Sequence, residues 1–212
     1  MSEPKISVKR SPKNNSNLNA LCFDSILNYF DNSHKIDDSL IKENSDNSLF
    51  VSWKNDSSKK KELKGCTGTF QSKNLLHSLK SVSVRSAFFD SRFKPIQKKE
   101  IKHLLCEVSI LSPFEKAKDF YDWKIGKHGI LIVFKKDDNS YSATFLPDVI
   151  KEQGWNHEET IKNLIRKSNF GGSYKDVWGD LQIFKYQSEK SSLNFDDYCA
   201  LKKERGADIK SY

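Results

Sequence analysis

The segment Leu63-Lys64-Gly65-Cys66-Thr67-Gly68-Thr69-Phe70 sets a cysteine directly after one glycine and two residues before another. Its composition reads as a β-strand, where glycine costs stability and marks a bulge or the close approach of another group. A bulge would re-aim Cys66 and expose backbone N–H groups able to hold an anion or a carboxylate. A cysteine acts as a nucleophile when a cation, a helix N-terminus or an imidazole favours its thiolate. Lys64 is close in sequence, and His128, at the start of a second predicted hairpin, is a candidate general base. The bland alternatives stay open. Cys66 can be a small core residue beside two glycines, and His128 can be a strand-start residue bonded to the backbone.

Candidate ligand-binding residues are Lys64, Gly65, Thr67, Gly68 and Thr69 in this segment, with Arg92, Glu152 and Trp155 from elsewhere. Asp90 and Arg92 flank Ser91 just after a predicted helix end. They are either an ion pair that fixes the chain reversal before Pro95 or an anion clamp built on Arg92. Glu152 and Trp155 surround a helix stop at Gly154, and serve a site only if they converge on Cys66. His34, His77, His103 and His157, with Cys22, Cys106 and Cys199, share no metal-ligand spacing, so neither a metal nor a cofactor is expected. P-loop, GxGxxG, GxSxG and HExxH patterns are all missing from the sequence, which removes the common nucleotide, hydrolase and metalloprotease readings.

The elements that must position these residues follow from periodicity. Leu18, Leu21, Cys22, Ile26, Tyr29 and Phe30 recur at helical spacing, with a short helix expected around Ile36–Ile41. Leu49–Trp53 and Glu62–Phe70 read as a hairpin joined by a long cationic loop. A helix over Asn74–Phe89, a shorter one over Gln97–Leu105 and a strand at Cys106–Leu111 follow. Ser112-Pro113-Phe114-Glu115 has the form of a capping box with proline at the first helical position, and predicts a helix to about Tyr121. Gly129–Phe134 and Ser140–Phe145 form the second hairpin. Helices open at Pro147 and after Asn156, the latter stopping at Gly171-Gly172. Leu181–Gln187 is the last predicted strand, before a terminal helix from Phe195. The stretches 49–111 and 129–187 thus share the order hairpin, helix, helix, strand. The expected fold is α+β: an antiparallel-rich sheet or partly closed barrel with flanking helices, built from two related units. The expected organisation is a disordered basic tail over 1–17 and a single domain over 18–212.

The 212 residues carry 36 Lys plus Arg against 28 Asp plus Glu, a formal net charge of +8. Three windows, 1–17, 54–64 and 85–102, hold +3, +3 and +4, leaving −2 for everything else. Such a basic stripe can hold phosphates, though surface lysines need no special explanation. The longest apolar run, Ile130–Phe134, is far below the ~20 residues that span a bilayer. No secretory signal and no disulfide scaffold are expected, so the reading is a reduced globular protein.

The octapeptide resembles the "LRGCIGTF" signature of the AMMECR-type domain family, with Lys64 where the family has Arg and Thr67 where it has Ile. Ala87-Phe88-Phe89-Asp90-Ser91-Arg92-Phe93-Lys94-Pro95 is similar to its "A-x-x-D-x-R-F-x-P". Val108–Ser112 is similar to "VSVLS", and Gly126–Ile130 to "G-x-H-G-I". Ala143–Val149 with Glu152-Gln153-Gly154-Trp155 is similar to "ATYLPEV…EQGW". The five motifs are collinear and cover about residues 18–190. The resemblance implies a duplicated β-β-β-α-α unit around a barrel-like sheet and a cytoplasmic or nuclear protein. It brings no established activity. Association of prokaryotic relatives with Memo-like and radical-SAM proteins points to a pathway modifying protein, RNA or small molecules. Three functions are therefore expected to compete. One is a cysteine site in, or accessory to, such a pathway. The second is a protein-interaction adaptor without catalysis, and the third a nucleic-acid module using the basic windows. An unidentified protein partner, an anionic ligand or nucleic acid as a further option, and no membrane complete the expectation.

Overall fold

Helical periodicity in the first segment matures into α1, Pro12–Phe30, which buries Leu18, Leu21, Cys22, Phe23, Ile26 and Leu27. The computed structural model describes residues 12–41, 48–57, 61–70 and 74–207. The helix begins within the stretch expected to be a tail. The rest of that tail, residues 1–11, lies outside the described residues, as does part of the 54–61 loop. The short helix expected near Ile36–Ile41 is a 3-10 turn at Asp38–Leu40.

Two compact units emerge. One holds the residues through Ile110 and from Lys190 onward, and the other holds Leu111–Glu189. In the first, β1 (Leu49–Asn55) pairs antiparallel with β2 (Glu62–Thr69) on one side and β3 (Leu104–Leu111) on the other. Between the hairpin and β3 come α2 (Leu75–Phe88) and a 3-10 turn at Lys98–His103. The Asn74 side chain caps α2 by accepting from the His77 N–H at 2.9 Å, supplying one of the partners a helix start lacks. Helix α2 lies on the hairpin, with Trp53 Nε1 donating to the Ser83 carbonyl at 3.1 Å and Ser86 Oγ to the Val51 carbonyl at 2.9 Å.

The second unit repeats that plan. Strand β5 (Gly129–Lys136) lies between β6 (Asn139–Phe145) and β7 (Gln182–Tyr186), again antiparallel to both. The hairpin turns on two residues, Asp137 and Asp138, at φ 48° and 62°. Two successive left-handed residues give a turn whose twist matches that of the strands. The helices α3 (Pro147–Glu152) and α4 (His157–Lys167) follow, the latter with a reciprocal Asn156/Glu159 capping box. Ile161, Leu164 and Ile165 of α4 pack on Ile130, Ile132 and Phe134 of β5 in this unit's core.

The sheet orders, β2-β1-β3 and β6-β5-β7, are therefore the same, with the first strand of each hairpin in the middle. Each sheet gains one further strand. The two residues of β4 (Glu115–Lys116) pair with β7, and β8 (Ser188–Asn194) lies beside β3. Both four-stranded sheets have free edges, so neither closes into the barrel held open as an alternative. Helix α5 (Phe195–Glu204) completes the described chain.

Two local expectations are corrected. The Ser112–Glu115 segment does not start a helix. Ser112 Oγ accepts from the Gln187 N–H at 2.7 Å, and Glu115 pairs with Lys185 across β4 and β7. The capping hydroxyl is thus spent on a neighbouring strand. Strand β8 was not predicted because Leu193 is its only apolar residue. Its pairing comes from the edge of β3 rather than from a buried face of its own.

The first unit is tied across its ends by a buried cluster. Asp24 of α1 accepts from Tyr198 Oη at 2.6 Å, Lys202 Nζ at 2.9 Å and the Asp37 N–H at 3.0 Å, with His34 Nε2 at 3.2 Å. Burial alone would push the Asp24 pKa up. The bonds from His34, Lys202, Tyr198 and the Asp37 N–H outweigh it and hold the carboxyl below its ordinary value. Lys202 is 4% exposed, so removing its charge leaves a buried carboxylate short of its counter-ion. Lys202→Met is expected to destabilise the fold by about 3–5 kcal/mol, read as a fall in the urea unfolding midpoint at unchanged slope.

Candidate functional site

Strand β2 is an edge strand, and alternation divides its side chains between two faces. Gly65 and Thr67 face α2, whereas Cys66 and Gly68 lie on the other face. A Cβ on Gly65 would fall 1.9 Å from the Ser86 carbonyl oxygen, so glycine here admits the helix backbone directly onto the strand. Thr67 reaches the Val82 carbonyl through its hydroxyl at 3.4 Å. At Gly68 a Cβ would meet the Phe50 ring at 2.4 Å, so this glycine lets Phe50 lie across the strand. Phe50 in turn meets Phe70 edge-on at 5.6 Å. Thr69 closes the strand opposite Leu49. The register slips between Trp53/Lys54 of β1 and Gly65/Leu63 of β2, which leaves Lys64 as the extra residue of a bulge two positions before Cys66.

Cys66 is partly buried and held from three directions. Its N–H donates to Asp90 Oδ2 at 2.9 Å, and its carbonyl accepts from Arg92 Nη2 at 2.6 Å. Arg92 also binds Asp90, through Nε to Oδ1 at 2.9 Å and Nη2 to Oδ2 at 2.7 Å. The expected Asp90–Arg92 ion pair is therefore present, and it does what a neighbouring strand would do for an edge residue. Arg85 extends the arrangement by donating to the Gly68 carbonyl at 2.9 Å. On the face of the sheet, Ser52 Oγ donates to Cys66 Sγ at 3.1 Å. Ser52 also stands opposite Glu107 of β3, so Cys66, Ser52 and Glu107 form a row across three strands. Lys54 Nζ meets Glu107 Oε2 at 2.8 Å, with Lys190 at 4.0 Å.

The electrostatics follow the bonds. The Arg92 guanidinium is the main cause holding the Asp90 carboxyl down to about 2, with the Cys66 N–H adding to it against a smaller burial effect. Asp90 in return raises the Arg92 pKa. Lys64, the candidate closest to Cys66 in sequence, is drawn instead to Glu100 at 3.2 Å and Glu62 at 3.7 Å. Burial would raise the Glu100 pKa, but the Gln97 N–H and Lys64 lower it on balance.

Cys66, Gly65, Thr67, Gly68 and Arg92 are thus assembled at one place in the first unit. His128, Glu152 and Trp155 belong to the second. His128 Nδ1 accepts from the Lys124 N–H at 2.9 Å, which places the neutral ring's proton on Nε2. Burial, then the charges of Lys127 and Lys185, push its pKa down. The ring borders a water-sized recess of about 20 Å³ with Ser112, Glu115 and Gln187. Glu152 is exposed at the end of α3, and Trp155 packs on Phe145 at 5.1 Å. Ser52 and Glu107 were missed by the sequence reading, because only strand register brings them beside Cys66. No group of three metal-ligating side chains occurs among the described residues. No described helix is long and apolar enough to cross a membrane.

Residues 19–191 match the AMMECR1 family, a span that includes the hairpin, the Asp90–Arg92 turn and β3. The chain belongs to the AMMECR1 family. An uncharacterised protein of Arabidopsis thaliana is 34% identical over 197 residues, covering 91% of each chain. An uncharacterised protein of Saccharomyces cerevisiae is 36% identical over 182 residues, covering 74% of this chain and 72% of that one. The crystal structure of an uncharacterised protein from Pyrococcus horikoshii has the same fold, with a TM-score of 0.71 at 24% identity over 85% of this chain and 91% of that one. Within this AMMECR1-family chain, Lys64 stands at the signature's Arg position as a point charge on Glu100, and the Thr67 hydroxyl is answered by a helix carbonyl.

The Asp90 clamp carries a pH signature. A carboxyl held below its unfolded value contributes stability that is complete above the unfolded pKa of about 4 and is lost as pH falls through the folded one. The stability advantage of wild type over Asp90→Asn is expected to shrink by roughly 2 kcal/mol between pH 5 and pH 1.5. Paired denaturant titrations across that range measure it. A constant difference would mean that Asp90 acts through packing alone.

Proposed function

We propose that the chain works through a cysteine-centred site on the face of the first sheet, in or as accessory to the modification of a protein, an RNA or a small molecule. The observation that carries this reading is the fixing of Cys66. Its N–H and carbonyl are bound by Asp90 and Arg92, and its sulfur receives the Ser52 hydroxyl at 3.1 Å. A nucleophile must be held in a defined direction for its reaction to gain from orientation. The Phe50–Phe70 pair on one side and the Lys54–Glu107 pair on the other supply an apolar and a charged neighbour for a bound group. Cys22 and Cys106 are buried in the core, whereas Cys66 and Cys199 are partly exposed. Cys199 is the internal control, because burial raises its pKa.

Alkylation by iodoacetamide, followed by peptide mass, is expected to modify Cys66 at least about tenfold faster than Cys199, with Ser52→Ala slowing Cys66 alone. Equal rates for the two thiols, with full function in Cys66→Ser cells, would end the nucleophile reading.

A protein-interaction role is supported by a different feature. Tyr29 and Phe89 are 50% and 62% exposed, and Tyr29 stacks on Phe88 at 4.2 Å where α1 and α2 end. Exposed grouped rings of this kind favour a protein partner. The basic windows give less support to nucleic acid. Lys54, Lys61, Lys64 and Arg92 all stand in ion pairs with carboxylates, which offsets the charge that phosphates would read. A reduced cytoplasmic or nuclear setting fits a site that depends on a free thiol.

A further inference from the structure

A cleft lies wholly within the second unit and is lined by no residue of the Cys66 site. It encloses about 310 Å³, at the lower end of the ~300–1,000 Å³ range of small-molecule sites. Phe120, Trp178, Leu181 and Ile183 give it apolar and aromatic walls, and Lys116 and Lys118 add two cations. Asp119 also lines it, and its carboxylate accepts from the Tyr121 N–H at 2.7 Å. The cleft therefore carries a net charge of +1.

Three features make this a built cleft. The Trp178 and Phe120 rings sit 4.9 Å apart at 31°. Trp178 is braced on its other flank by Tyr174 at 5.7 Å, which in turn carries Lys162 over its ring at 4.6 Å. The turn preceding Trp178 is fixed by the reciprocal Ser173/Asp176 capping box. The indole N–H groups of Trp53 and Trp123 both donate to backbone carbonyls. That of Trp178 has no hydrogen-bond partner among the described residues. Lys116 and Lys118 are likewise outside any ion pair among the described residues, unlike Lys54, Lys61, Lys64 and Lys185.

We infer that this cleft binds a planar aromatic ligand carrying a negative charge, the ring lying against Trp178 and Phe120 and the anion facing Lys116 and Lys118. Aromatic faces and edges supply stacking, and two exposed ammonium groups outside any described ion pair select against cations. Apolar contact with Leu181 and Ile183 excludes water from the ring, and a volume of about 310 Å³ has room for a two-ring group.

The full chain, titrated with 2-naphthoate and separately with 2-naphthylmethylammonium, provides the test by calorimetry and ligand-observed NMR. Saturable binding of the anion is expected, with the cation at least about tenfold weaker. Lys116→Gln with Lys118→Gln should weaken the anion about tenfold and leave the fold intact, because both side chains are exposed. Trp178→Leu should abolish binding. If that variant fails to fold, the lysine pair alone decides. Equal affinity for the two probes, an unchanged affinity in the lysine variant, or no saturation by about 10 mM naphthoate would each overturn the assignment.

Discussion

The arrangement around Cys66 depends on one ion pair. Asp90 and Arg92 meet at 2.7 Å, and between them they bind both backbone polar groups of a residue on the outermost strand. An edge strand otherwise presents unpaired N–H and C=O groups that can recruit foreign chains. Here the partner is a turn from the end of α2. The same turn therefore seals the sheet edge, anchors the helix end and sets the direction of the cysteine. The ion pair gains from serving backbone groups. Asp90 is 5% exposed at its side chain, and a carboxylate so placed must satisfy its lone pairs with donors. Arg92 and the Cys66 N–H do so, which explains why the pair is short although Arg92 itself reaches into the open at 59% exposure.

The glycines of the motif act through space rather than through special backbone angles. Gly65 admits the Ser86 carbonyl and Gly68 admits the Phe50 ring. The first draws α2 close enough for the residues after it to fold back over the strand edge. The second lowers an aromatic ring beside the cysteine. Architecture and candidate chemistry are thus coupled at Gly-Cys-x-Gly, because the feature that packs the helix also shapes the surface next to the thiol.

Much of this was legible in the sequence. The two hairpins, the helix from Asn74, the capped helix at Asn156 and the repeated element order all follow from apolar periodicity and capping residues. The Asp90–Arg92 pairing was readable as one of two options, since an acid and a base flank a single residue at a helix end. What was not legible is whatever register decides. Ser52 and Glu107 flank the cysteine only once β1 is paired on both sides, and nothing local to either residue announces it. The Ser112 segment misled because a capping hydroxyl looks the same whether it serves its own helix or a distant N–H. Strand β8 escaped because its polar composition carries no alternation strong enough to read. Lys64, chosen for its nearness in sequence, is claimed by Glu100 from a 3-10 turn whose position no spacing rule supplies.

The buried Asp24 has a consequence for how the protein is made. Its counter-ion, Lys202, lies 178 residues further along the chain, and Tyr198 lies 174 residues further. During synthesis α1 emerges well ahead of Lys202, so its carboxylate waits for that counter-ion with only His34 and the Asp37 N–H near it in sequence. The second unit is one continuous stretch, Leu111–Glu189, whose residues have all emerged before then. Domains generally acquire structure as their residues emerge. The order of synthesis and the order of folding are therefore reversed in this chain: the half that starts first is the half that finishes last.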